Sequence, residues 1–176
     1  MSKRVVMVVD MQQGVFATPR IQREQCVAKI NQLTAAADKV IFIQHAEAGG
    51  LEEGSEGFAL LPELEQPATA LFVTKTACDA FYRTELEQVL REHAIDSFVM
   101  CGCATDYCVD TTLKNGASRG YAITVAEDAH TTANRPAAPA TTLIAHYNEV
   151  WRTLTVPGNP VSVKPVATIL NDWQTN

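Results

Sequence analysis

The chain reads as an α/β domain with a doubly wound, mostly parallel six-stranded sheet and helices on both faces. Two patterns predict this class. Short runs such as Val5–Val9 are apolar at every position, as strands covered on both faces are, instead of alternating apolar with polar. Between such runs, apolar residues recur at helical spacing, and strands alternating with helices imply right-handed crossovers in a parallel sheet.

Val5–Val9 is expected at the sheet centre, followed by a helix from Gln22 to Asp38 in which Cys26, Val27, Ile30, Leu33 and Ala37 share one face. Val40–Ile43 is the second strand. The segment from Ala48 to Gln66 holds four glycines, several glutamates and Pro62, and reads as a long surface loop, ordered only in part, that shapes a site. Leu71–Thr74 is the third strand, and Thr84 can cap a helix running to His93. A strand over Ser97–Cys101, a helix over Asp106–Arg119, a strand over Tyr121–Val125, a helix over Ala137–Asn148 and a last strand near Val150–Thr155 complete the prediction.

With 176 residues, 47% of them hydrophobic, the chain is long enough for one domain with a sizeable core. Its apolar runs are of strand length, too short to span a bilayer. Asp10 interrupts the first of them and no small-residue cleavage site follows, so no signal peptide is expected and a cytoplasmic location is. A formal charge of −6 without a basic cluster argues against nucleic acid and leaves a small molecule as the expected partner. Five cysteines, an odd number, favour reduced thiols over a disulfide framework.

In doubly wound sheets ligands bind beyond the carboxyl ends of the strands. The residues there are Asp10, His45, Lys75 and the Gly102–Cys108 turn. Asp10 reads either as a cap or as a general base, Lys75 either as a solvated lysine or as a cation beside a thiol, and His45 as a polar strand-end residue or a site residue. Three cysteines crowd into "VMCGCATDYCVD". Structural zinc needs four ligands in paired elements, and Cys26, Cys78 and the scattered histidines supply no second pair, so no metal is expected. Cys101 and Cys103 read as small apolar strand residues. Cys108 falls at a helix start, where unsatisfied N–H groups favour a thiolate and can hold an oxyanion, and it is the candidate nucleophile.

These residues carry a resemblance to the isochorismatase-like cysteine hydrolases, which include nicotinamidases and carbamoylsarcosine amidohydrolases. It rests on "VVMVVDMQQGVF" from Val5 to Phe16, "FVTKTACDAF" from Phe72 to Phe81, "VMCGCATDYCVDTT" and "VAEDAHTT" from Val125 to Thr132, in that order along most of the chain. The resemblance implies an Asp10–Lys75–Cys108 triad, a non-proline cis peptide at Cys103–Ala104, and an oxyanion hole formed by the N–H groups of Ala104 and Cys108. It also implies a homo-oligomer. The segment from Phe42 to Leu64 has one histidine and lacks the metal-binding Asp-x-His of nicotinamidases, so neither a catalytic metal nor any other cofactor is expected, and nicotinamide is disfavoured. Phe16, His45, Phe81, Tyr82 and Tyr107 are the expected pocket lining. The expected activity is metal-independent hydrolysis of a C–N bond in a small amide, carbamoyl or ureido compound through a Cys108 thioester. The alternatives are vinyl ether hydrolysis of the isochorismatase type, or a thiol redox or binding module in which Cys103 and Cys108 pair.

Overall fold

The computed structural model describes residues 3–175. Its sheet comprises β1 (Val5–Val9), β2 (Lys39–His45), β3 (Leu71–Lys75), β4 (Ser97–Cys103), β5 (Ala122–Thr131) and β6 (Ser162–Lys164), all parallel, in the order β3-β2-β1-β4-β5-β6. The helices are α1 (Arg23–Ala36), α2 (Leu86–Glu92), α3 (Asp110–Ser118), α4 (Ala140–Arg152) and α5 (Val166–Thr175).

Strand alternation explains the unbroken apolar runs. Val6 and Val8 of β1 pack with α1 and α5, while Val5, Met7 and Val9 pack with residues of α2, α3 and α4, so each face has its own core. The chain winds from β1 outward through β2 and β3, then returns to place β4 on the other side of β1. The switch point therefore lies between the ends of β1 and β4, with Asp10 on one side and the Cys103–Ala104 turn on the other. Gly102 makes this approach possible: at φ 119° a Cβ would stand 2.2 Å from the Val9 carbonyl oxygen.

Three expectations need correction. Val150–Thr155 is not a strand; α4 continues to Arg152 because Trp151 is fully buried in the core and its indole N–H donates to Asp110 at 2.9 Å. The sixth strand is the three-residue Ser162–Lys164, paired with Thr124–Ala126 of β5, and α5 follows with its Val166 N–H bonded to Asp128 at 2.8 Å. β4 and β5 each run further than expected, to Cys103 and Thr131, through a register shift between Met100 and Gly102 that pairs Gly102 with His130.

The Ala48–Gln66 segment is a loop, but one pinned along its length. Gln13 N–H bonds to Ala59 O at 2.9 Å, Gly14 N–H to Gly57 O at 2.8 Å and Leu61 N–H to Met11 O at 2.9 Å, and Leu60, Leu61 and Leu64 are buried. Thr84 behaves as expected of a cap, accepting from Leu86 N–H at 3.2 Å. Among the described residues no helix is long and apolar enough to cross a membrane.

Candidate active site

Asp10 ends β1 in a left-handed conformation, φ 47°, which a short polar side chain tolerates, and its N–H bonds to Ile43 O at 2.9 Å. The turn brings its carboxylate to Lys75, the last residue of β3, at 2.9 Å. Both side chains are almost wholly buried. Lys75 Nζ also lies 3.3 Å from Cys108 Sγ and 2.8 Å from His45 Nδ1. Three acceptors thus meet the three N–H groups of one ammonium. With Nδ1 accepting, the His45 ring proton sits on Nε2, which faces Glu47 at 3.5 Å.

Cys108 lies in a π-helical turn, Thr105–Val109, directly ahead of α3, closed by Val109 N–H on Ala104 O at 3.1 Å. Cys103–Ala104 is a cis peptide, as the resemblance implies. Behind the turn, Thr105 Oγ1 meets His130 Nδ1 at 2.7 Å, and His130 Nε2 meets Asn148 Oδ1 at 2.9 Å. Because Asn148 Oδ1 can only accept, His130 carries its proton on Nε2, and Thr105 donates to Nδ1. Burial pushes the His130 pKa down to about 4, against the raising effect of Asn148.

The electrostatics of Cys108 differ from the helix-start expectation. Burial and the neighbouring Asp10 carboxylate raise its thiol pKa, and Lys75 only partly offsets them. Lys75 goes the opposite way: burial would lower its pKa, but Asp10 and Cys108 together raise it, so the ammonium stays charged. The resting arrangement is a neutral thiol beside an Asp10⁻–Lys75⁺ pair. Moving the thiol proton to Asp10 leaves the net charge of the cluster unchanged, and Lys75 remains in contact with whichever group is the anion. Asp10 Oδ1 is buried and receives no N–H or O–H donor, while the Cys108 thiol interacts with this carboxyl.

Three further thiols, Cys26, Cys101 and Cys103, are buried and held neutral, whereas Cys78 is exposed at the cleft. Burial raises the pKa of Cys26 and Cys101 and pushes that of Cys103 up to about 12. This weakens the Cys103–Cys108 redox reading. Among the described residues no three His, Cys, Asp or Glu side chains are grouped to hold a metal ion.

The cluster opens onto a cleft of about 290 Å³ lined by Asp10, Val15, Arg20, His45, Cys78, Ala104, Tyr107, Cys108 and Arg135. Of the expected lining, His45 and Tyr107 are in place. Phe16 is buried in the α1-side core beneath Arg23, Phe81 is buried in the opposite core stacked on Tyr121, and Tyr82 is half exposed under Arg83. These three do not line the cleft, nor does any residue of the 46–67 loop. That loop acts from behind: Gln12, fully buried, donates to His45 O and Phe58 O at 3.0 Å each and accepts from His45 N–H at 2.7 Å.

Sequence reasoning missed Arg20 and Arg135. Arg135 donates to Asp106 at 2.8 Å and lies over the Tyr107 ring at 4.6 Å, and Thr132 also donates to Asp106 at 2.5 Å. Burial opposes charge on Asp106, but these bonds prevail and hold its pKa down. The strand-end rule would have found Arg135 had β5 been carried to Thr131. Arg20 lies in the loop after β1, where nothing local marks it.

A thiol, a carboxylate and an ammonium in contact at a switch-point cleft is the equipment of covalent hydrolysis. A family profile described as "Isochorismatase domain" matches residues 4–153, and the chain belongs to the isochorismatase family. The chain is 34% identical over 79 residues to ureidoacrylate amidohydrolase RutB of Yersinia enterocolitica, a match spanning 45% of this chain and about a third (34%) of that protein. It is 30% identical over 145 residues to the isochorismatase family protein YecD of Escherichia coli O157:H7, covering 70% of this chain and 77% of that one. A solved isochorismatase family protein superposes with a TM-score of 0.83 at 27% identity, over 92% of this chain and 97% of the other.

Proposed function

We propose that the chain is a metal-independent cysteine hydrolase that cleaves a C–N bond of a small amide, carbamoyl or ureido compound, with Asp10, Lys75 and Cys108 as its catalytic residues. The observation that carries this reading is the position of Lys75 Nζ, within 2.9 Å of Asp10 and 3.3 Å of Cys108. Asp10 takes the thiol proton as Cys108 attacks the carbonyl carbon. The N–H groups of Ala104 and Cys108 receive the oxyanion, Asp10 returns the proton to the departing nitrogen, and a thioester forms. Asp10 then takes a proton from a water whose oxygen attacks the thioester carbon; the C–S bond breaks, the acid leaves, and Asp10 returns the proton to the Cys108 sulfur. Lys75 stays protonated throughout and compensates each successive anion. The likeness to a ureidoacrylate amidohydrolase supports the substrate class.

The test is nitrogen release from a panel of small amides, carbamates and ureides, with intact-protein mass spectrometry to trap the acylated chain. Turnover that disappears in Cys108→Ala, with an acyl adduct on Cys108 in the parent protein, is the expected result. Full turnover in Cys108→Ala would overturn the assignment.

A further inference from the structure

We infer that Arg20 makes the cleft selective for an anion, so that the amide it takes carries a carboxylate a few atoms from the scissile bond. This rests on the hydrolase reading above and adds the substrate's charge to it. The charged groups lining the cleft are Asp10, Arg20 and Arg135, with Lys75 and Asp106 directly behind them; Glu47, beyond His45, is solvent-exposed and does not line it. Asp10 pairs with Lys75 at 2.9 Å and Asp106 with Arg135 at 2.8 Å, so these four cancel. His45, an acceptor at Nδ1, adds no charge. Arg20 is left over, because among the described residues no carboxylate pairs with it.

The bonding of Arg20 is also incomplete. Nε and Nη2 both converge on one acceptor, Val15 O, at 3.1 and 2.9 Å, while Nη1 is buried with no acceptor at all. A guanidinium has five N–H groups in a planar fork suited to a carboxylate, and a buried donor without a partner is destabilising. A neutral side chain would serve to tie Val15 O. The unpaired charge and the unused nitrogen at the wall of a reactive cleft are what a ligand carboxylate would satisfy, after a small shift of the side chain of the kind common at binding sites. The cleft volume of about 290 Å³ equals the liquid volume of about ten waters, which suits one small molecule in contact with both Cys108 and Arg20.

The experiment uses a matched pair, ureidoacetate and its neutral carboxamide, in two assays. Binding is measured by titration calorimetry on the Cys108→Ala chain, and turnover on the parent chain. The acid should bind about 10–100-fold more tightly than the carboxamide, the range for one charge-assisted bond, and Arg20→Gln should bring the ratio close to one. Arg20→Lys, which keeps the charge but loses the fork, should fall between. Equal binding of the two compounds to the Cys108→Ala chain with Arg20 intact would overturn the inference even if the parent chain hydrolyses both. Tighter binding of the acid with no turnover of either would uphold the anion site and count against the hydrolase reading alone. If Arg20→Gln does not fold, the ratio on the Cys108→Ala chain with Arg20 intact and that with Arg20→Lys decide.

Discussion

Lys75 and His45, register partners at the ends of β3 and β2, meet at 2.8 Å between Nζ and Nδ1. The contact gives the third ammonium N–H an acceptor and leaves the other two directed at Asp10 and Cys108. His45→Ala removes that acceptor, and the expected loss in kcat/KM is about 10–100-fold, corresponding to one hydrogen bond to a charged group. His45→Gln, which restores a carbonyl acceptor, should recover part of it. Steady-state kinetics of the two variants on one substrate is the check, and equal activity of His45→Ala and the parent chain would remove His45 from the site.

Lys75→Ala is more severe, because it leaves the buried Asp10 carboxylate without its cation. A loss of about 3–5 kcal/mol in stability is expected together with loss of turnover. Chemical denaturation separates the two effects. Adding Asp10→Asn should restore most of the stability while the protein stays inactive.

The raised Cys108 pKa predicts a specific reactivity pattern. In the parent chain, iodoacetamide labelling of Cys108 should become fast only above the reference thiol pKa of about 8.5. Asp10→Asn removes an anion that raises this pKa, so labelling at neutral pH should accelerate in a variant that no longer hydrolyses anything. Peptide-resolved alkylation against pH measures both, and slower labelling of Asp10→Asn would contradict this charge distribution.

His130 links pH to stability. Its folded pKa of about 4 is below the unfolded value of about 6.5. Its contribution is therefore complete above pH 6.5 and is lost as pH falls towards 4, because the unfolded chain takes up the proton first. The loss over that window amounts to about 3 kcal/mol. Denaturation midpoints from pH 7 to 4 should show it, and His130→Gln should flatten the profile. The same variant loosens the Thr105 end of the nucleophile turn, so kcat should fall as well.

Phe81 and Tyr82 separate core from cleft. Phe81→Ala should cost about 3–5 kcal/mol by opening a cavity against Tyr121, with KM unchanged. Tyr82→Ala, at a half-exposed position, should stay within about 0.5 kcal/mol. A raised KM in either variant would return that residue to the pocket.

Much of this was legible because it is local. Apolar runs mark β1, β2 and β3, and the strand-end rule selects Asp10, His45, Lys75 and the Cys108 turn from residue order alone. The errors fell where local pattern is weakest. Val150 and Trp151 are β-prone, yet the core contact of Trp151 and its bond to Asp110 hold them in α4. Ser162–Lys164 is too short to carry a period, and only pairing with β5 makes it a strand. Aromatic residues near a motif look alike in sequence whether they face a cleft, as Tyr107 does, or a core, as Phe81 does.

The sequence by itself determined the α/β class and the family resemblance, which implies Asp10, Lys75 and Cys108 as the candidate trio, since both depend on residue type and order along the chain. Tertiary structure alone decided the charge state of the trio and the composition of the cleft. Burial and neighbouring charge set a pKa, and both arise only when β1, β3 and the turn after β4 converge. Arg20 enters the site in the same way, as the cation left unpaired once the other four charges have met their partners.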